Sequence, residues 1–335
     1  MKINSYKKTV LISAAKTGGH LIPALEVSKK LINENHKVIF IGGGYPLEKE
    51  LINELNVLYI PIKMVEFRGA NIFKKLKLIY LLPKNIIRLI FILIKNKVST
   101  AITFGGFISI PVGMAAKILN KRLYIHEQNS IMGSANKLLY GICTKAFVGI
   151  PLASSKYQRK TILTGNPIRQ EFYEDNIYLN KNDDELNIYI TGGSQGSLYI
   201  NNLVPLMLNE ISCEKINIIH QCGFARKEEV QERYDNLNIN AEVKEFVKNP
   251  AKKVAWSDFV ITRCGALSLS EIISMNKGMI MIPLSSSIDN HQLYNAKFFR
   301  DNGSGEIFQE SEEISSLIAR FKEIIRNKRY KDWQK

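Results

Sequence analysis

Short apolar runs rich in β-branched residues recur along the chain, each followed by glycines and then by a stretch of helical spacing. Val10 to Ser13 leads into Thr17-Gly18-Gly19-His20, after which Leu21, Leu25, Val27 and Leu31 recur at roughly helical spacing. Lys37 to Ile41 precedes Gly42-Gly43-Gly44, and Ala101 to Phe104 precedes Gly105-Gly106. The second half repeats the pattern. Asn187 to Ile190 precedes Thr191-Gly192-Gly193-Ser194-Gln195-Gly196, Asn217 to His220 precedes Cys222-Gly223, and Phe259 to Thr262 precedes Arg263-Cys264-Gly265-Ala266-Leu267. Strands alternating with helices of this length predict parallel β-α-β units with helices on both sheet faces. Two such series, meeting near Gly165-Asn166-Pro167, predict an α/β chain of two Rossmann-like, doubly wound parallel-sheet domains, residues 1–166 and 167–335, facing a cleft. Ligands of such sheets bind beyond the carboxyl ends of the strands, so the glycine loops at that cleft are the expected site.

A glycine loop lets the backbone approach a ligand closely, and the N–H groups of the following helix start carry partial positive charge. Together they suit phosphate. A single Gly-Gly also serves a tight turn with no ligand at all. Several at equivalent positions point to a phosphate-bearing ligand.

Ile72 to Lys97 reads differently, with seven Lys or Arg residues interleaved among Ile, Leu and Phe. Pro83 is predicted to divide it into two short helices, because proline cannot donate inside a helix. Most of Leu89 to Ile94 is expected to cover the first sheet. Ile72 to Leu82, with Lys74, Lys75 and Lys77, suits a helix lying at an anionic membrane surface. No apolar run reaches the roughly 18 residues that a spanning helix needs. Thr9 to Ala15 is too short for a signal peptide and leads into glycines rather than a cleavage site. A soluble cytoplasmic chain is expected.

Charge sharpens the division into halves. The net charge is +15, but residues 1–166 carry 25 Lys+Arg against 7 Asp+Glu while residues 167–335 carry 21 against 24. Between Glu66 and Glu171 the one acidic residue is Glu127. A Lys-rich genome would enrich both halves without removing acids from one, so the first domain is expected to face something anionic. Hydrophobic residues at 45% and charged ones at 23% are ordinary globular usage. Cys143, Cys213, Cys222 and Cys264 form no C-x-x-C pair and read as reduced thiols. No G-x-x-x-x-G-K-[ST], complete G-x-G-x-x-G or H-E-x-x-H occurs, which argues against P-loop, nicotinamide dinucleotide and zinc hydrolase chemistry. Neither metal-ligand spacing nor a nucleic-acid module is present.

Motifs in order carry a resemblance. They are Thr17-Gly18-Gly19-His20 with Pro23, Phe104-Gly105-Gly106, His126-Glu127-Gln128-Asn129, Gly165-Asn166-Pro167-Ile168-Arg169 and Gly192-Gly193-Ser194-Gln195-Gly196. Glu245-Phe246-Val247, Arg263 through Glu271, and His291-Gln292 with Asn295-Ala296 follow. From about Val10 to Glu306 the chain resembles the MurG family of bacterial UDP-N-acetylglucosamine transferases. The resemblance implies the GT-B fold and an inverting transfer of N-acetylglucosamine to the muramoyl 4-hydroxyl of lipid I, giving lipid II, with no metal or other cofactor. It implies a peripheral enzyme on the cytoplasmic face of the bacterial plasma membrane, working beside other cell-wall synthesis proteins and on no nucleic acid. The final helix is expected to be able to pack back on the first domain. Where the family usually has two glycines this chain has Ala15 and Lys16, and Lys16 is expected to add charge against a diphosphate.

Residue roles follow from the same resemblance. On the donor side, the Val247 backbone reads the uracil edge and Glu271 accepts from the ribose hydroxyls; a carboxylate suits a vicinal diol because both its oxygens accept. Ser194 and the amides of Gly265, Ala266 and Leu267 hold the diphosphate, Ser268, Leu269 and Ser270 complete that segment, and Arg169 adds to the nucleotide site. His291 and Gln292 contact sugar hydroxyls. On the acceptor side, Thr17, Gly18, Gly19, Gly105 and Gly106 receive the lipid I diphosphate, with Asn129 near the sugars. The base is His20 or Glu127. The ordinary structural readings are a dipole-satisfying acid at a helix start for Glu271, a linker ion pair for Arg169 and a polar helix start for His291 and Gln292. A GT-B transferase or epimerase acting on another UDP-sugar is the nearest alternative, although an epimerase has no need of a basic, apolar membrane-facing stretch. A basic RNA-binding adaptor would explain the charge but not the ordered motifs.

Overall fold

The structure is a computed structural model that describes residues 6–14, 17–64, 72–173, 185–211 and 215–334, with the backbone alone at positions 47, 72–76 and 334. Ala15, Lys16 and Cys213 lie outside the described residues. The chain forms two compact units, Met1–Arg169 and Gln170–Lys335.

The first unit runs β1 (Thr9–Ser13), α1 (Gly18–Asn33), β2 (Lys37–Gly42), α2 (Pro46–Asn53), β3 (Leu58–Pro61), α3 (Ile72–Lys95), β4 (Val98–Thr103), α4 (Ser109–Ile118), β5 (Arg122–Glu127), α5 (Ser134–Tyr140), β6 (Lys145–Val148) and β7 (Thr161–Leu163). All its strands are parallel, in the order β3-β2-β1-β4-β5-β6-β7. Successive strand residues point to opposite faces, and here both faces are apolar. Val10, Ile12, Val38 and Phe40 pack with Leu21, Ala24 and Leu25 of α1. Leu11, Ile39 and Ile41 pack on the other side with Leu89, Leu93, Val112 and Leu139 of α3, α4 and α5.

The second unit runs β8 (Leu186–Thr191), α6 (Leu198–Asn209), β9 (Ile216–Gln221), α7 (Lys227–Asn236), β10 (Ala241–Lys244), α8 (Pro250–Trp256), β11 (Phe259–Arg263), α9 (Ala266–Ser274), β12 (Gly278–Ile282), α10 (His291–Asp301), β13 (Gly305–Ile307) and α11 (Ile314–Arg326). Its parallel sheet has the order β10-β9-β8-β11-β12-β13. Every residue of β8 and β12 is buried, as a doubly covered sheet requires. Beyond α11 a short 3-10 segment, Arg329–Gln334, brings Tyr330 and Trp333 against Phe259. A Cβ on Gly278 would run into the Trp333 ring, so the tail closes this unit's core.

One expectation is corrected. Pro83 does not divide Ile72–Lys97: α3 is a single helix with the proline inside it. Pro83 lies at an exposed position, where water can satisfy the Ile79 carbonyl that loses its N–H partner. Leu89 and Leu93 are buried as expected, whereas Phe91 and Ile94 between and beyond them are exposed. No helix among the described residues is long and apolar enough to cross a membrane.

Candidate active site

In each sheet the strand order reverses between two neighbours, β1 and β4 in the first unit and β8 and β11 in the second. Crevices outside the carboxyl ends of strands open at such switch points. Four of the glycine loops singled out in the sequence leave these four strands.

The loop after β1 ends at Thr17, whose extended backbone starts α1 and whose carbonyl accepts the N–H groups of His20 and Leu21. Thr17 Oγ1 lies 3.1 Å from His20 Nδ1. With Nδ1–H donating to that oxygen, Nε2 carries the lone pair a base needs. The His20 ring rests against the loop after β4: a Cβ on Gly105 would stand 3.0 Å from both His20 Cδ2 and Nε2. Gly105 also has φ +92°, so glycine is required there by backbone and by packing alike. Gly19 and Gly106 have open space where a side chain would stand.

Glu127 ends β5, the strand beside β4, and is buried. Its Oε1 accepts from Asn129 N and Nδ2 at 3.1 and 3.2 Å, and its Oε2 from Gly133 N and Asn136 Nδ2 at 2.8 and 2.9 Å. The carboxylate thus organises the turn into α5 and places Asn129. Next to it, burial pushes the His126 imidazole down to about 4, and the neighbouring His20 imidazole acts in the same direction. Gln128 Nε2 lies 3.2 Å from His126 Nδ1 and donates to the Phe104 carbonyl, tying β5 to the Gly105 loop.

One glycine loop is filled by the chain itself. After β2, the N–H groups of Gly43 and Gly44 donate to Oε2 of buried Glu48 at 2.7 and 2.9 Å, and Tyr59 donates to the same atom. An internal carboxylate occupies this nest. Sequence alone did not separate it from the loops left open.

In the second unit, Ser194 is exposed in the loop after β8. Gly196 packs so closely on the loop after β9 that a Cβ would strike the Cys222 carbonyl. The loop after β11 puts Gly265 at the start of α9, with Ala266, Leu267, Leu269 and Glu271 buried and Ser268 and Ser270 half-buried. Ser270 donates to the Ala266 carbonyl at 2.9 Å. Gln292, from α10, accepts at Oε1 from Cys264 N and Leu284 N at 3.2 and 3.0 Å. Asn295 donates to the Cys264 carbonyl, so α10 clamps this loop from both sides. His291 Nδ1 is 2.8 Å from the Ile288 carbonyl. Arg263 pairs with Glu310 at 2.6 Å, a bridge that joins β11 to the turn after β13 and was not anticipated. Val247 is buried in the loop after β10, and its N–H donates to Gln221. Arg169 is half-buried at the end of the first unit.

Within the first unit, therefore, Thr17, Gly18, Gly19, His20, Gly105, Gly106, Glu127 and Asn129 all lie at the carboxyl ends of β1, β4 and β5. Within the second, Ser194, Val247 and Ala266 to Glu271 follow the corresponding ends of β8, β10 and β11, and His291 and Gln292 start α10 after β12, with Gln292 reaching the loops after both β11 and β12. Gln221, Asn136, Glu48 and Glu310 were missed. The available signal for Gln221 was its position, a carboxamide at a strand end directly before Cys222-Gly223. Among the described residues no group of three or more His, Cys, Asp or Glu is placed to hold a metal.

Residues 10–148 match the glycosyltransferase family 28 N-terminal domain and residues 187–334 the family 28 C-terminal domain. A relative from Vesicomyosocius okutanii, named UDP-N-acetylglucosamine–N-acetylmuramyl-(pentapeptide) pyrophosphoryl-undecaprenol N-acetylglucosamine transferase, is 34% identical over 93% of the chain and 87% of its own length. A relative of the same name from Haemophilus influenzae is 31% identical over 93% of the chain and 88% of its length. The crystal structure of Acinetobacter baumannii MurG superposes with a TM-score of 0.80 at 27% identity, covering 98% of this chain and 93% of that one. The glycosyltransferase of kitacinnamycin, at 12% identity and a TM-score of 0.71, shares the fold. Two Rossmann-like domains, each with its loops at a switch point, and these matches across both establish that the chain belongs to glycosyltransferase family 28 and, within it, to the MurG family.

Proposed function

We infer that the chain transfers N-acetylglucosamine from UDP-N-acetylglucosamine to the muramoyl 4-hydroxyl of lipid I, with inversion, forming lipid II for peptidoglycan synthesis. The observation that carries this is the alignment of both units with relatives of one named activity, at 31–34% identity over 92–93% of the chain. In the reaction the 4-hydroxyl oxygen bonds to the anomeric carbon, the bond from that carbon to the diphosphate breaks, and the hydroxyl proton passes to a base. His20 is the base in this reading, held by Thr17 and Gly105. Glu127 is the residue that builds the acceptor loop rather than the proton acceptor, since both its oxygens are engaged. The helix start at Gly265 to Leu267, with Ser194, stabilises the negative charge that grows on departing UDP. Glu271 holds the ribose and the Phe246-Val247 segment the base, with the Val247 N–H itself taken up by Gln221; His291 and Gln292 hold the sugar, and Arg169 the nucleotide.

The enzyme works from the cytoplasmic face of the membrane in this reading, because the lipid tail of its acceptor cannot leave the bilayer. The supporting feature is α3, on which Ile79, Tyr80, Ile87, Phe91 and Ile94 are exposed beside Lys77, Lys84, Arg88 and Lys95. The test of the reaction is incubation with UDP-N-acetylglucosamine and a lipid I analogue. The β-linked disaccharide product is expected. Epimerised sugar nucleotide without disaccharide would transfer the assignment to an epimerase.

A further inference from the structure

We propose that Gln221 is a positioning residue for the donor nucleotide, a single side chain that aims both the diphosphate loop and the base-reading segment. The inference rests on the donor-site reading above. Gln221 ends β9 and is buried. In the sheet β9 lies between β8 and β10, so a side chain at its carboxyl end reaches the loops that leave both neighbours. Nε2 of Gln221 donates to the Gly193 carbonyl at 2.8 Å, and Oε1 accepts from the Val247 N–H at 3.0 Å and from the Tyr189 hydroxyl at 3.4 Å. A carboxamide can hold both loops at once because it carries donor and acceptor on one planar group.

The consequence for the site follows from peptide geometry. A trans peptide is planar, with its C=O and the next N–H on opposite sides. Drawing the Gly193 carbonyl inward turns the Ser194 N–H outward, on the side where Ser194 is exposed. Drawing the Val247 N–H inward likewise turns the Phe246 carbonyl outward. One loop thereby presents a donor suited to a phosphate oxygen, and the other an acceptor suited to the imide N–H of a uracil ring. Both peptides lie outside the strands; the Gly193 carbonyl also accepts from the Gly196 N–H at 3.0 Å within its own turn, and the Gln221 bond adds the link that ties this turn, at a glycine with φ +82°, to β9.

The test measures displacement of a fluorescent UDP analogue by UDP and by uridine, for the full chain and for Gln221→Leu and Gln221→Glu. Leu removes both bonds, and both ligands should weaken on the order of tenfold. Glu keeps an acceptor for Val247 but offers no N–H to Gly193. Uridine should then bind within about twofold of the parent while UDP weakens on the order of tenfold. In turnover, donor KM should rise more than kcat falls. A folded Gln221→Leu chain that binds UDP like the parent overturns the proposal, as does a Glu variant that loses uridine and UDP in equal proportion. If the Leu variant does not fold, the Glu variant decides. Failure of the parent chain to bind UDP would instead remove the donor-site reading, and this inference with it.

Discussion

A carboxylate that already accepts four hydrogen bonds has little capacity left for a reacting hydroxyl, and that is the state of Glu127. His20 makes the opposite kind of contact, one ring nitrogen toward a threonine hydroxyl and the other edge along a glycine. The two residues should separate cleanly on substitution. His20→Ala should lower kcat by on the order of 10²–10⁴ with donor KM and Tm little changed, the loss expected when a general base is removed. Glu127→Gln should instead lower Tm, because an amide turns its own N–H groups toward Gly133 N or Asn136 Nδ2 and leaves donors facing donors. Steady-state kinetics and thermal melting on the two variants distinguish the roles, and near-parent activity of His20→Ala would end its assignment. Residues of this first kind were legible because glycine, histidine and their spacing are visible along the chain. Partners such as Asn136 for Glu127, or Gln221 for Gly193, were not. Their function is a hydrogen bond between segments that the sheet brings together, and neither residue type announces it.

Elements were legible where an apolar run and a glycine loop coincide, at β1, β2, β4, β8, β9 and β11, all but β2 and β9 of which flank a switch point. The remaining strands carry weaker marks. β3 is partly exposed at the sheet edge, β7 has three residues, and β12 is followed by no glycine. Pro83 misled because an isolated proline is a strong helix breaker in a peptide, whereas α3 is held by packing of Leu89, Leu93 and Ile86 against the sheet. Continuity bears on the proposed attachment to a membrane surface. An unbroken helix carries its exposed apolar positions from Ile79 to Ile94 along one element, flanked by cations. The chain should co-sediment with vesicles containing anionic lipid and detach as salt rises, since each cation adds about 1 kcal/mol near such a surface. Lys77→Glu with Lys84→Glu and Arg88→Glu should weaken binding by tenfold or more on the same estimate. Phe91→Ser should weaken it without altering the salt dependence. Lys74 and Lys75, whose side chains lie outside the described residues, belong in a second round of the same assay. Equal binding to neutral and anionic vesicles would exclude the electrostatic part.

Each unit of the molecule also buries a histidine in its neutral form. Burial pushes His126 down to about 4 and His220 to about 3. His220 is hydrogen-bonded to Tyr234 and Asn201 in the second core. An unfolded chain protonates histidine near 6.5, so between that value and the folded ones the unfolded state holds the extra protons. Stability from these residues is complete above about pH 6.5 and is lost as pH falls toward 4. Tm should therefore drop by roughly 5 °C or more between pH 7 and pH 5, above the range where most carboxylates titrate. A flat melting temperature across that interval would contradict the buried neutral state. The strand orders carry a last implication, for how the chain is made. Apart from β1 and β8, which open the two sheets, every strand pairs with one that precedes it in the chain: β2 and β4 with β1, β3 with β2, and β5, β6 and β7 each with its predecessor. In the second sheet β9 and β11 join β8, β10 joins β9, and β12 and β13 follow outward. A sheet wound in this way can be laid down from its centre while synthesis proceeds at roughly 5–20 residues per second. After the first strand of each sheet, no strand emerging from the ribosome has to wait for a partner not yet translated, and the seven strands of the first unit are all present before β8 is made.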